Sequence, residues 1–127
     1  MKKDINNRDD VQLMVDRFYE KIKADKLVGF IFNDVMKVNW EKHIPVIVAF
    51  WQNALFYTGG YHGNALKKHI NINKVVALEK KYFNRWLFLF DQTVDEYFVG
   101  EKATLAKQRA QSIATIIQIK LKASAIK

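Results

Sequence analysis

The chain has 127 residues, half of them hydrophobic and 27% charged, which excludes a disordered protein and predicts one domain over residues 1–127. It contains no cysteine, which excludes disulfides, thiolate metal sites and cofactor attachment through cysteine pairs. The net charge of +8 is spread along the chain and the apolar runs are short, so we expect a cytoplasmic protein without a nucleic-acid or membrane partner.

Turn-forming residues are scarce, because five glycines and one proline are too few for the tight turns of an all-β chain. An all-α fold is therefore predicted. The first helix should begin after Asn7, a suitable N-cap, and should end near Asp25. Gly29 is expected to break the chain, and residues 30–32 are expected to form an apolar plug outside any helix. The apolar stripe of this first helix recurs at helical spacing on Val11, Met14, Phe18 and Ile22.

A second helix is predicted from Asn39, but it contains the only proline of the chain. Pro45 removes one backbone hydrogen bond, so either the regular helix starts only at residues 42–43 or it is kinked. Residues 58–63 are rich in turn formers, and residues 65–72 are expected to form a short helix. The apolar stripe of the second helix lies on Ile44, Ile47, Trp51 and Leu55.

Two further long helices are predicted after this irregular region. The first should be capped by Asn73 and should end at Gly100, and the second follows it. Small alanines on the last helix allow a neighbouring helix to approach closely. The stripes lie on Phe83, Trp86, Phe90 and Val94, and then on Ala106, Ala110, Ile113, Ile117 and Leu121.

No pattern for a catalytic nucleophile, a phosphate-binding loop or a zinc site is present. The three histidines are His43, His62 and His69, and each is typical of a partly exposed surface residue when taken alone. Tyr19 and Trp86 lie on apolar stripes. They are either core aromatics or donors to a buried acceptor, since an indole N–H can only donate.

Several short segments, taken in order, form a familiar pattern. They are Phe-Tyr-Glu-Lys at 18–21, Ile-Phe at 31–32, Trp-Glu-Lys-His at 40–43, Phe-Trp at 50–51, Tyr and Gly at 61 and 63, Leu-Lys-Lys-His at 66–69, and the segments 83–90 and 108–114. Each segment alone is weak, but their order and separation are specific. From about residue 10 to 120 the chain resembles the truncated haemoglobins of group III.

The resemblance implies an all-α truncated globin fold, a two-over-two helical sandwich around haem b. It implies that His69 ligates the iron and that Tyr19, His43 and Trp86 form the catalytic, distal side. Lys68 and Arg85 are expected to meet the haem propionates. The other residues expected to bind the cofactor are Phe18, Phe32, Ile44, Ile47, Leu66, Ile70, Phe83 and Leu87.

The function implied is binding of O2, NO and CO at a histidine-ligated iron. Two hydrogen-bond donors should slow the release of oxygen, which favours NO or peroxide detoxification over transport. An NO dioxygenase or peroxidase-like activity with an unidentified reductase as partner would follow, although the sequence leaves enzymatic activity open. The alternative is a haem-free globin-like module for interaction or sensing, which predicts no haem absorption band. A basic nucleic-acid-binding domain would instead show affinity that falls steeply with salt.

His43 is predicted to act as a mobile gate. Pro45 cannot donate to the carbonyl of Glu41, which leaves the turn around His43 short of one hydrogen bond. Protonation should swing the imidazole towards solvent, so we expect ligand association to accelerate as the pH falls through about 6.5, the ordinary pKa of histidine.

Overall fold

The computed structural model describes residues 2–35, 39–56 and 79–126. Helix α1 packs against α2 and α3, and α4 packs against the same two helices, so one pair of helices lies over the other. None of the described helices combines the length and the apolar surface that crossing a bilayer requires. The elements are α1 (Arg8–Ala24), a π-helical turn (Ile31–Val35), α2 (Trp40–Phe56), α3 (Lys80–Tyr97) and α4 (Glu101–Ile126).

The bounds of α1 agree with the sequence prediction because both ends are set locally. The Asn7 side chain accepts a hydrogen bond from the Asp10 backbone N–H at 3.0 Å, which is N-cap geometry. At the other end Asp25 turns to an extended conformation, and its N–H bonds to the carbonyl of Ile22. The predicted stripe is buried at all four positions, Val11, Met14, Phe18 and Ile22.

The expectations for residues 29–32 are wrong, because Gly29 begins a helical turn instead of breaking the chain. Its N–H donates to the Asp25 carbonyl at 3.0 Å. A Cβ at this position would lie 2.9 Å from the carbonyl oxygen of Lys23, so only glycine fits against the end of α1. The chain can therefore reverse tightly, and the turn that follows carries Phe32 back to the middle of α1.

Helix α2 runs through its proline. It begins at Trp40, and the His43 N–H donates to the Asn39 carbonyl at 2.8 Å, so the predicted delayed start at residues 42–43 is wrong. Ile44 and Ile47 are only half-buried. Val48, which was absent from the predicted stripe, faces the core together with Trp51 and Leu55.

The predicted start of the third helix is also wrong. Helix α3 begins at Lys80, after an extended Glu79 that makes no side-chain cap, and it ends at Tyr97. The helix starts one turn before Phe83, where its buried stripe begins, so packing rather than a capping side chain sets the boundary. Asn73 and the short helix expected at residues 65–72 lie outside the described residues.

The segment before α1 is tied to the start of α4. The Asp4 carboxylate accepts the backbone N–H groups of Lys102 at 2.9 Å and Ala103 at 2.8 Å, so it caps a helix far away in sequence. Gly100 makes room for this contact, since a Cβ there would lie 2.5 Å from the Asp4 side chain, and its φ of +140° favours glycine. Ala106 and Ala110 are fully buried, as the stripe of α4 predicted.

Replacing Asp4 with alanine should lower the free energy of unfolding by about 1–2 kcal/mol at neutral pH, the usual value of a helix cap. Burial raises the pKa of the Asp4 carboxyl, but the N–H groups of Lys102, Ala103 and Ile5 and the Lys102 charge outweigh burial and lower it. This stabilisation is therefore present above the unfolded pKa of about 3.9 and is lost as the pH falls through the lower folded value.

Urea unfolding of wild type and Asp4→Ala at neutral and acidic pH measures this effect. Asp34→Ala, which removes an exposed carboxylate on the π-helical turn, is the control and should change stability little. Two outcomes would contradict the capping role. One is an equal loss of unfolding free energy in the two variants, and the other is a lower unfolding free energy of Asp4→Ala that persists in acid.

Candidate functional site

Tyr19 lies at the centre of the candidate site, buried to 6% exposure in the middle of α1. Its ring centroid lies 6.0 Å from Phe32, 5.2 Å from Trp40 and 5.6 Å from His43. These three rings belong to the π-helical turn and to the first turn of α2. The structure therefore brings together Tyr19, Phe32 and His43, which the sequence had singled out separately.

The Tyr19 hydroxyl is a buried donor that makes no hydrogen bond to any of the described residues. Burial raises the pKa of the Tyr19 phenol well above its ordinary value, so the group stays protonated and can donate. The hydroxyl thus suits a ligand atom that accepts a hydrogen bond.

Trp86 is linked to Tyr19 through one phenylalanine. The Phe18 ring lies 4.9 Å from Tyr19 and 5.4 Å from Trp86, in edge-to-face contacts. On its other side Trp86 stacks on Phe90 at 5.6 Å, and Phe90 stacks on Trp51 at 4.9 Å. The indole N–H of Trp86, which is half-buried, makes no hydrogen bond within the described part of the chain. Both predicted donors therefore border the same aromatic cluster.

The apolar residues expected to contact a cofactor divide into two groups. Phe18, Phe83 and Leu87 are buried, whereas Phe32, Ile44 and Ile47 are half-buried and pack against the same core. Among residues 2–35, 39–56 and 79–126, no group of three histidine, aspartate or glutamate side chains could hold a metal ion. The remaining predicted residues, Leu66, Lys68, His69 and Ile70, lie outside the described residues.

Arg85 binds a carboxylate of the protein itself. Its guanidinium contacts Asp25 at the end of α1, with Nε 2.8 Å and a terminal nitrogen 2.7 Å from Oδ1. Burial raises the pKa of Asp25, but Arg85 and the N–H groups of Val28 and Leu27 outweigh it and hold the pKa below its ordinary value. Arg85 as a propionate partner remains a prediction, and the structure gives it a different partner.

Sequence reasoning missed Trp40 as a site residue. The Trp40 ring contacts Tyr19, and it lies 5.6 Å from His43 and 6.2 Å from Phe32. Lys23 places its Nζ 4.5 Å from the centroid of the same ring. The spacing of the sequence could have identified Trp40, because it lies three residues before His43 on a helix and so shares a face with it.

The comparisons with known proteins identify the family. A group 3 truncated haemoglobin of Campylobacter jejuni is 32% identical over 121 residues, which cover 93% of each protein. This chain belongs to the group 3 truncated haemoglobins. The crystal structure of a group III truncated haemoglobin from Campylobacter jejuni matches it with a TM-score of 0.84 at 32% identity, over 95% of each chain. No family model matches the chain. The predicted family and the two-over-two helical fold are thereby confirmed.

Truncated haemoglobins are haem-binding globins, and the described residues fit such a cofactor. A flat apolar group needs aromatic and aliphatic walls, which Phe18, Phe83 and Leu87 supply. A gas bound within those walls needs a donor that stays protonated, which Tyr19 provides. The buried Tyr19 hydroxyl is the observation on which this fit depends.

Proposed function

We propose that this truncated haemoglobin binds haem b through His69, takes up O2, NO and CO, and retains oxygen for redox chemistry rather than transport. Haem supplies an iron atom that binds a diatomic gas. The support is the Tyr19 hydroxyl, a protonated donor with no acceptor among the described residues. Oxidation of nitric oxide or reduction of peroxide, with an external reductase or reductant, is the activity that fits strong retention.

The strength of retention follows from the number of donors. A hydrogen bond to an acceptor that carries charge contributes roughly 1.5–3 kcal/mol, and each 1.4 kcal/mol is about tenfold in affinity. Tyr19 and Trp86 together would therefore slow the release of oxygen by about 10²-fold or more. A transport protein needs easy release, so this value favours catalysis or scavenging.

An absorption spectrum tests the proposal directly. The purified protein, reconstituted with haem, should give distinct ferric, ferrous and CO-bound spectra at one haem per chain. A chain that gains no haem absorption band would support the alternative, a haem-free globin-like interaction or sensor module. Pyridine haemochrome analysis then identifies the cofactor as haem b or as another type.

His43 remains the candidate gate. Its ring is half-buried and lies 5.6 Å from each of the rings of Tyr19 and Trp40, which supports an inward arrangement. Replacing His43 with leucine should abolish the acceleration of ligand association expected in acid, and Pro45→Ala should weaken it by restoring a backbone donor. Stopped-flow CO binding across the pH range measures this. A wild-type association rate that does not change with pH would contradict the gate and leave the haem assignment intact.

A further inference from the structure

The Tyr19–Trp40 contact joins two of the most readily oxidised side chains of the protein. Phenol and indole lose an electron more easily than other aromatic side chains, and the chain has no cysteine to compete with them. The ring centroids are 5.2 Å apart, which is close enough for rapid electron transfer between them. Tyr19 lies at the centre of the candidate site, and the contact joins it to Trp40 at the start of α2.

Trp40 connects this contact to solvent. Its ring is half-buried under the Nζ of Lys23, an exposed residue. A second route begins at Trp86, which is half-buried like Trp40 but has no described cation over its ring, and runs through Phe90 to Trp51, which is only 3% exposed. Within the described part of the chain, the Trp40 route therefore ends near solvent, whereas the Trp51 route ends in the core.

The positive charge of Lys23 favours electron exchange between Trp40 and an anion in solution. A positive charge 4.5 Å from the ring disfavours a cationic indole, so the oxidised ring should lose its N–H proton to water. The same charge, in a protein of net charge +8, attracts a negatively charged reductant. Both effects weaken as salt is added.

We propose that Tyr19 and Trp40 carry electrons, one at a time, from a small anionic reductant in solution to the haem site during reduction of hydrogen peroxide. This inference rests on the proposed function, because the peroxide reacts at the haem. Each peroxide takes up two electrons and two protons and leaves as two water molecules.

The atoms and electrons balance at each transfer. Tyr19 gives one electron together with its hydroxyl proton, and this proton ends in the water that leaves. Trp40 re-reduces Tyr19 with one electron and releases its indole proton to water, while Tyr19 takes a proton back from water. The reductant, such as ascorbate, then returns one electron to Trp40, which regains its proton from water.

Trp40→Phe tests the route, because phenylalanine keeps an aromatic ring and is not readily oxidised. The haem-loaded ferric protein is treated with excess peroxide without reductant, and the oxidised residues are mapped by mass spectrometry alongside freeze-quench EPR. In wild type we expect oxidation at Trp40. In Trp40→Phe we expect loss of the indole radical signal and haem bleaching that is several-fold faster. Trp51→Phe is the matched control and should behave as wild type.

The result that overturns the route is oxidation at Trp51 or Trp86 with none at Trp40, or a Trp40→Phe protein with an unchanged radical signal and bleaching rate. Normal ferric and CO-bound spectra of each variant keep this result separate from a failure of haem binding. A protein without haem spectra contradicts the proposed function itself.

Lys23→Gln is a second test that leaves every ring in place. It should slow the reduction of the peroxide-treated protein by ascorbate several-fold at low salt and reduce the dependence of that rate on salt. Lys81→Gln is the matched control, since its Nζ lies 5.3 Å from the ring of Tyr82, whose described ring contact is with Phe30 and not with the cluster. Equal effects of the two substitutions would mean that the reductant does not enter at Trp40.

Discussion

Replacing His69 with alanine should abolish stoichiometric haem binding. The expectation rests on the resemblance to the family, which aligns its iron ligand with the histidine of Leu-Lys-Lys-His at 66–69. The axial imidazole is the one bond expected between this protein and the iron, so its loss leaves the apolar contacts and the expected contacts to the propionates. Haem titration followed by gel filtration measures the bound fraction, and His69→Gly should recover haem when imidazole is added.

The control for this experiment is His62→Ala, which removes the neighbouring histidine of the same region. It should bind haem as wild type does, as should His43→Leu, since neither aligns with the iron ligand. Full haem binding by His69→Ala, together with loss of haem from His62→Ala, would show that His62 and not His69 is the iron ligand.

Removing both distal donors should accelerate oxygen dissociation by about 10²-fold or more, since each contributes roughly 1.5–3 kcal/mol. Tyr19→Phe deletes one hydroxyl and preserves the ring contacts with Trp40 and His43, so packing should change little. The single variant is ambiguous in sign, because Trp86 or His43 can take over as donor. Tyr19→Phe combined with Trp86→Phe is the decisive variant, since neighbours that share a ligand do not act additively.

Stopped-flow measurement of oxygen and CO dissociation gives the result. CO accepts hydrogen bonds far more weakly than oxygen, so its dissociation rate should change much less in the double variant. Tyr82→Phe, which deletes a hydroxyl from a ring that contacts Phe30, is the control and should leave both rates unchanged. Equal small effects on the two gases would reduce Tyr19 to a packing residue.

Local signals in the sequence predicted the parts of the fold that are determined locally. Asn7 and Asp25 bound α1 through contacts within four residues, and the periodic stripe of α3 identified Phe83, Phe90 and Val94 as buried. The start of α3 was not predictable from capping residues, because Glu79 makes no cap and the helix starts where packing begins.

The remaining errors concern contacts between distant parts of the chain. The Asp25–Arg85 ion pair joins residues 60 positions apart, and no sequence pattern predicts it. The proximity of Phe32 to Tyr19 follows from the helical turn that begins at Gly29, where the sequence predicted only an interruption of the chain. The sequence singled out Tyr19, Phe32 and His43 separately, whereas their proximity to one another required the folded structure.

The Asp4 cap has a consequence for the order of folding during synthesis. Asp4 and the α4 N–H groups that it binds are separated by 98 and 99 positions, so the acceptor is translated long before its donors. At a rate of synthesis of about 5–20 residues per second, several seconds separate the translation of Asp4 from that of Lys102 and Ala103. The Asp4 cap therefore forms late during synthesis. A nascent chain acquires this long-range contact only after residue 103 has left the ribosome, and a chain arrested earlier would have no helix start for Asp4 to cap.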